Sequence, residues 1–62
     1  MIGLTVEQYE RVYNISKQLK VNMDELTDEI YEWVEYGFYT MEEIINEIEN
    51  GEFEFENVKV GA

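Results

Sequence analysis

The side chains here that could do chemistry are carboxylates, and little else. Fifteen Asp and Glu residues face four bases (Arg11, Lys17, Lys20 and Lys59), giving a net charge of −11 over 62 residues. Histidine and cysteine are both absent. The commonest general base, nucleophile and transition-metal ligands are therefore missing together. A carboxylate pair can act as acid and base, as in glycosidases. Such a pair needs a substrate cleft, and a chain this short has little room to build one. Calcium is the other use for clustered acids. Yet Asp24, Glu25, Asp28 and Glu29 recur at helical spacing, whereas an EF-hand takes its ligands from an irregular loop with a glycine in the middle. No glycine-rich phosphate loop is present. The chain reads as non-enzymatic, with no cofactor and no metal.

Binding through charge is the chemistry that remains. At 3.6 residues per turn, Asp24, Glu25, Asp28, Glu29, Glu32 and Glu35 fall within an arc of roughly 140°. No base interrupts them. Like charges one turn apart weaken a helix by about 0.2–0.5 kcal/mol a pair. A helix needing only solubility would mix in lysines at those positions, and this one has none. Tyr36 projects from the same acidic side and completes the candidate partner-binding set. Carboxylates one turn apart sit about 5–6 Å from each other, comparable in scale to the phosphates of one DNA strand, spaced about 3.4 Å in rise. The composition resembles a physical type, the small DNA-mimic proteins, many of them phage-encoded inhibitors of host enzymes. No family motif carries that likeness. It implies a basic partner surface, such as that of a nucleic-acid-binding enzyme.

The elements that must position these residues announce themselves by their caps. Thr5-Val6-Glu7-Gln8 and Thr40-Met41-Glu42-Glu43 are strict capping boxes, and Asn22-Met23-Asp24-Glu25 is a looser form. Each has a hydrophobic staple in register: Leu4 with Tyr9, Val21 with Leu26, Tyr39 with Ile44. Helices are expected at about 6–19, 23–36 and 41–50, with Gly37 and Gly51 placed to end the second and third. Tyr9, Val12, Tyr13, Ile15, Ser16 and Leu19 form the apolar face of the first helix. Met23, Leu26, Thr27, Ile30, Trp33 and Val34 form that of the second, and Met41, Ile44, Ile45 and Ile48 that of the third. Arg11 falls on the polar side of the first helix. Tyr9, Tyr13, Trp33, Phe38 and Tyr39 read as core or core margin.

The tail changes period. Glu52-Phe53-Glu54-Phe55-Glu56 alternates as a strand does, and Val58-Lys59-Val60 alternates in the opposite phase after a bend or bulge at Asn57. The expected fold is mainly α: a small three-helix bundle, one domain over 1–62, with a short C-terminal β-strand or extended tail across 52–60. Phe53 and Phe55 either fold back over the core, which needs every large apolar side chain in a chain this small, or pair with another chain by edge addition.

Three short helices also suggest a DNA-binding trihelical domain. Its recognition helix would carry Glu42, Glu43, Asn46, Glu47 and Asn50 into the groove, where phosphate repels them. Direct nucleic-acid binding and anionic membranes are excluded on the same ground. No apolar run approaches the ~20 residues of a membrane span, and the first residues, Met1-Ile2-Gly3-Leu4-Thr5, have neither a basic region nor a signal-peptide core. A cytoplasmic protein is expected. Two functions stay open: an inhibitor or modulator acting through the acidic helix face, and a structural or assembly protein forming homo-oligomers through Phe53 and Phe55.

Overall fold

The computed structural model describes residues 3–55 and 58. Three helices follow one another: α1 (Val6–Leu19), α2 (Met23–Glu35) and α3 (Met41–Glu49). These agree with the expected bounds to within a residue, because the start signals are local and the chain uses them. The Gln8 amide donates to Thr5 Oγ1 at 3.1 Å and the Thr5 amide donates to Gln8 Oε1 at 3.0 Å. Thr40 and Glu43 repeat the reciprocal pair at 3.2 and 3.0 Å. Asn22 Oδ1 accepts from the amides of Asp24 and Glu25 at 2.9 and 3.1 Å. Amides that a helix start leaves without partners are thereby satisfied.

The helix ends differ in how they turn. Gly37 and Gly51 take φ of +84° and +74°, a left-handed conformation that costs glycine nothing. At the end of α3 the amides of Gly51 and Glu52 donate to the carbonyls of Ile48 and Glu47 at 3.1 and 2.9 Å, a full Schellman closure. The end of α1 uses the same left-handed step without a glycine: Lys20 stands at φ +57°, and the Val21 amide reaches back to the Ser16 carbonyl at 3.0 Å. That step lets α2 follow α1 after a connection of three residues, 20–22.

Each helix packs against both others. The shared core is Val12 and Ile15 from α1, Leu26 and Ile30 from α2, and Ile44, Ile45 and Ile48 from α3. Ser16 is buried with them, its hydroxyl donating to the Tyr13 carbonyl at 2.6 Å. Leu4, Val21 and Tyr39, the leading halves of the expected staples, pack at the core margin. The aromatic expectation needs correction at three positions. Tyr9, Tyr13 and Phe38 are exposed, Phe38 by 68%. Two neighbouring helices cover only a narrow stripe of α1, centred on Val12, and Tyr13 stands about 100° round the helix from it. Phe38 sits in the turn between α2 and α3, beyond the reach of the seam.

Among the described residues no strand forms. Residues 52–55 are irregular, and Phe53 and Phe55 lie half-buried against the helical core. Val58 is buried, while Glu56, Asn57, Lys59 and Val60, which carry the rest of the expected strand, lie outside the described residues.

Candidate partner-binding face

The outer side of α2 is set by what its inner side buries. Leu26 and Ile30 are fully buried, with Trp33 packed at their margin, which rotates the opposite side of the helix to solvent. Asp24, Glu25, Asp28, Glu32 and Glu35 are all exposed there, and so is Tyr36 at the helix end. Among the described residues none of these five carboxylates makes an ion pair. The Tyr36 hydroxyl donates to Glu32 Oε1 at 3.1 Å, so a ring is fastened to the end of the acidic row.

Glu29 leaves the expected set. It is 2% exposed, and its Oε2 accepts the Trp33 indole N–H at 2.8 Å. The reason is angular. Glu29 stands at the end of the acidic arc, about 40° round the helix from Trp33, where packing of the indole carries it inward. A carboxylate enclosed there takes no part in a surface patch. Its place in the chain is structural: it orients the largest side chain of the helix by an i, i+4 hydrogen bond.

An aromatic cluster continues the face. Trp33 meets Tyr36 edge to face at 6.1 Å between ring centroids, Phe38 at 5.6 Å, Tyr39 at 6.1 Å and Phe53 at 5.9 Å. Phe53 in turn meets Phe55 at 5.3 Å. Tyr36 and Phe38 are 61% and 68% exposed. The acidic row, the Tyr36 ring and this cluster therefore form one continuous surface, with Phe53 and Phe55 as its far border. Joining residues from both ends of α2 to the tail was outside the reach of sequence periodicity.

Two acids of α3, Glu42 and Glu49, are handled differently, through a residue expected on the polar side of the first helix. Arg11 crosses from α1 to α3. Its Nη1 pairs with Glu42, its Nη2 donates to Glu49 Oε1 and Asn46 Oδ1, both at 2.7 Å, and its Nε donates to Glu49 Oε2 at 3.1 Å. The planar guanidinium suits this two-pronged grip on Glu49. Hydrogen bonds from Arg11 hold the carboxyls of Glu42 and Glu49 below the ordinary glutamate range, and those bonds push the guanidinium further toward permanent charge. The signal was present in sequence: Glu42, Asn46 and Glu49 follow an i, i+4, i+7 polar stripe facing the one arginine. Lys17 lies over the ring of Tyr13 at 5.2 Å on the outside of α1. Arg11 and Lys17 are thus engaged on α1 and α3, and among the described residues no base pairs with the exposed acids of α2.

Among the described residues no cluster of acids is arranged to hold a metal ion, and no helix is long and apolar enough to cross a membrane. Compared with protein-family models, curated proteins and solved structures, the chain matches none.

Proposed function

We propose that this chain is a small non-enzymatic inhibitor or modulator that covers a basic, nucleic-acid-binding surface of another protein. One observation carries the reading: five exposed carboxylates on the outer side of α2 lie in an unbroken row that no cation pairs among the described residues, while Glu42 and Glu49 of α3 are held by Arg11. A rigid helix fixes the spacing of that row in advance. A protein groove built for phosphates meets it without the ordering cost that a flexible acidic tail would bring. Attraction between the row and a basic groove speeds encounter and weakens as salt rises. Tyr36, at the end of the row, supplies the kind of ring on which binding energy concentrates.

Affinity capture from host lysate tests this. The partner captured by the wild type should be released by salt and by competing duplex DNA, and the double variant Asp28→Lys with Glu32→Lys should not capture it while its circular dichroism stays helical. Capture that survives the charge reversal, or that DNA does not compete, would sink the acidic-face reading. Sedimentation at several concentrations tests the assembly alternative. A monomer fits the modulator. A stable oligomer dispersed by Phe53→Ser would turn the reading toward assembly.

A further inference from the structure

A second acidic place lies at the far border of the aromatic cluster. Trp33, Tyr39, Phe53 and Phe55 together with Glu52 and Glu54 line an open cavity of about 340 Å³. Its rings do not stack. Trp33 meets Phe53 at 87° and Tyr39 at 83°, and Tyr39 meets Phe53 at 68° with 5.8 Å between centroids. Rings held near right angles form the walls of a corner, the arrangement in which several π faces can surround one cation. Two carboxylate-bearing residues share those walls, and among the described residues no base does. An apolar ligand would gain the rings but would draw the acids out of water for nothing. A cation uses both.

Which cation follows from shape. An ammonium is a compact, strongly hydrated charge, whereas a guanidinium is flat, more weakly hydrated, stacks on aromatic faces and offers its edge to carboxylates. We propose that this cavity receives the side chain of an arginine from the partner, its plane against the rings and its N–H edge toward Glu52 and Glu54. The proposal rests on the reading that the partner surface is basic, and it adds a specific recognition element to an otherwise diffuse attraction.

The test needs no partner. N-acetyl-arginine amide is titrated into the intact chain at constant ionic strength and followed by NMR through the indole of Trp33, the single tryptophan, and the amides of Tyr39 and Phe53. A saturable shift at these groups is expected, stronger than with N-acetyl-lysine amide or tetramethylammonium and absent with N-acetyl-leucine amide. Phe53→Leu, which keeps apolar bulk, should weaken the arginine probe by roughly two- to thirty-fold, the range of one cation–π contact. The pair Glu52→Gln with Glu54→Gln, both exposed in the wild type, should weaken it several-fold without touching the core. No saturable response, or an equal response to the leucine amide, overturns the proposal. Tighter binding of lysine or tetramethylammonium overturns the guanidinium assignment, and unchanged affinity in the Gln pair removes the carboxylates from it. Failure here is separable from failure of the α2 reading. If reversal at Asp28 and Glu32 abolishes capture but the probe does not bind, the cavity proposal alone falls. If the probe binds and capture survives reversal, the α2 reading alone falls.

Discussion

Asp28→Lys should raise the stability of the fold while weakening the partner complex. Asp28 lies one turn from Asp24, Glu25 and Glu32 on the exposed side of α2, without an ion pair of its own among the described residues. Each like-charge pair at this spacing destabilises a helix by about 0.2–0.5 kcal/mol, and an opposite pair stabilises it by as much. Reversing one charge therefore changes three pairs, for a sum of about 1–3 kcal/mol. Exposure and salt put the expected gain near the lower end, about 1 kcal/mol. Lysine is also the better helix former, which adds a few tenths of a kcal/mol. In a domain of this size 1 kcal/mol moves the melting temperature by about 4–8 °C.

Thermal unfolding followed by circular dichroism at low and high salt reads this directly. Asp28→Gln is the control: it removes repulsion without adding attraction, so its gain should be about half that of the lysine. Both gains should shrink as salt screens the exposed charges. A melting temperature that does not rise, or a rise indifferent to salt, would refute the claim that the row is under electrostatic strain. The bias toward function would then lose its physical motive, since an unstrained acidic row needs no purpose beyond solubility.

Arg11→Met should lower the melting temperature at neutral pH, and the gap from wild type should close on acidification. Glu42 and Glu49 are held below the ordinary value of 4.5 by their hydrogen bonds to Arg11, so their contribution is complete above that pH and disappears as pH falls through the lowered folded values; a gap unchanged in acid contradicts the linkage. Glu29→Ala should cost about 1–3 kcal/mol by removing the acceptor of the part-buried Trp33 indole, with a red-shifted tryptophan emission, while Glu29→Gln keeps an oxygen there and should lose less. Two of the left-handed positions, Gly37 and Lys20, predict opposite signs in thermal unfolding. Gly37→Ala forces a side chain into φ +84° and should cost about 1 kcal/mol although no atom stands within 4 Å of the new Cβ; Lys20→Gly relieves the same strain at φ +57° and should gain about 0.5–1 kcal/mol.

The helices were legible because their signals are local. Thr5 with Gln8 and Thr40 with Glu43 act across a single turn, so the sequence holds the whole interaction. Glu29 was not legible in this way. Its position in the arc was correct, but which way the arc's edge turns depends on how Trp33 packs against Tyr39 and Phe53, and that is decided between elements. Arg11 is a stronger case, since Glu42 and Glu49 lie 31 and 38 residues away. Tyr9 and Tyr13 fall on the broad side of α1 where its apolar residues recur, and periodicity places them inward. A core of seven buried apolar side chains is too narrow to cover a helix face as wide as the one drawn for α1. Of the candidate face, the exposed acids could be read from periodicity, whereas the aromatic cavity required the tail to be placed in space.

If α2 serves a basic partner, its acids and its rings should control different rates. Charges on an exposed row act before contact, through a field that reaches about 8 Å at physiological ionic strength, so they govern encounter. Rings act only once water has been excluded from them, so they govern departure. Tyr36 is placed to do the second beside the first, its hydroxyl on Glu32 and its ring against Trp33 and Phe38. With the captured partner in hand, Asp28→Gln should slow association in a salt-sensitive way and leave dissociation nearly unchanged. Tyr36→Ala should speed dissociation several-fold and leave the salt dependence of association intact, since no formal charge is altered. Stopped-flow or surface-based kinetics at several salt concentrations separates the two. Equal effects of both variants on dissociation would mean that the acids are themselves enclosed in tight pairs at the interface. The row would then be a set of specific contacts and not a steering field.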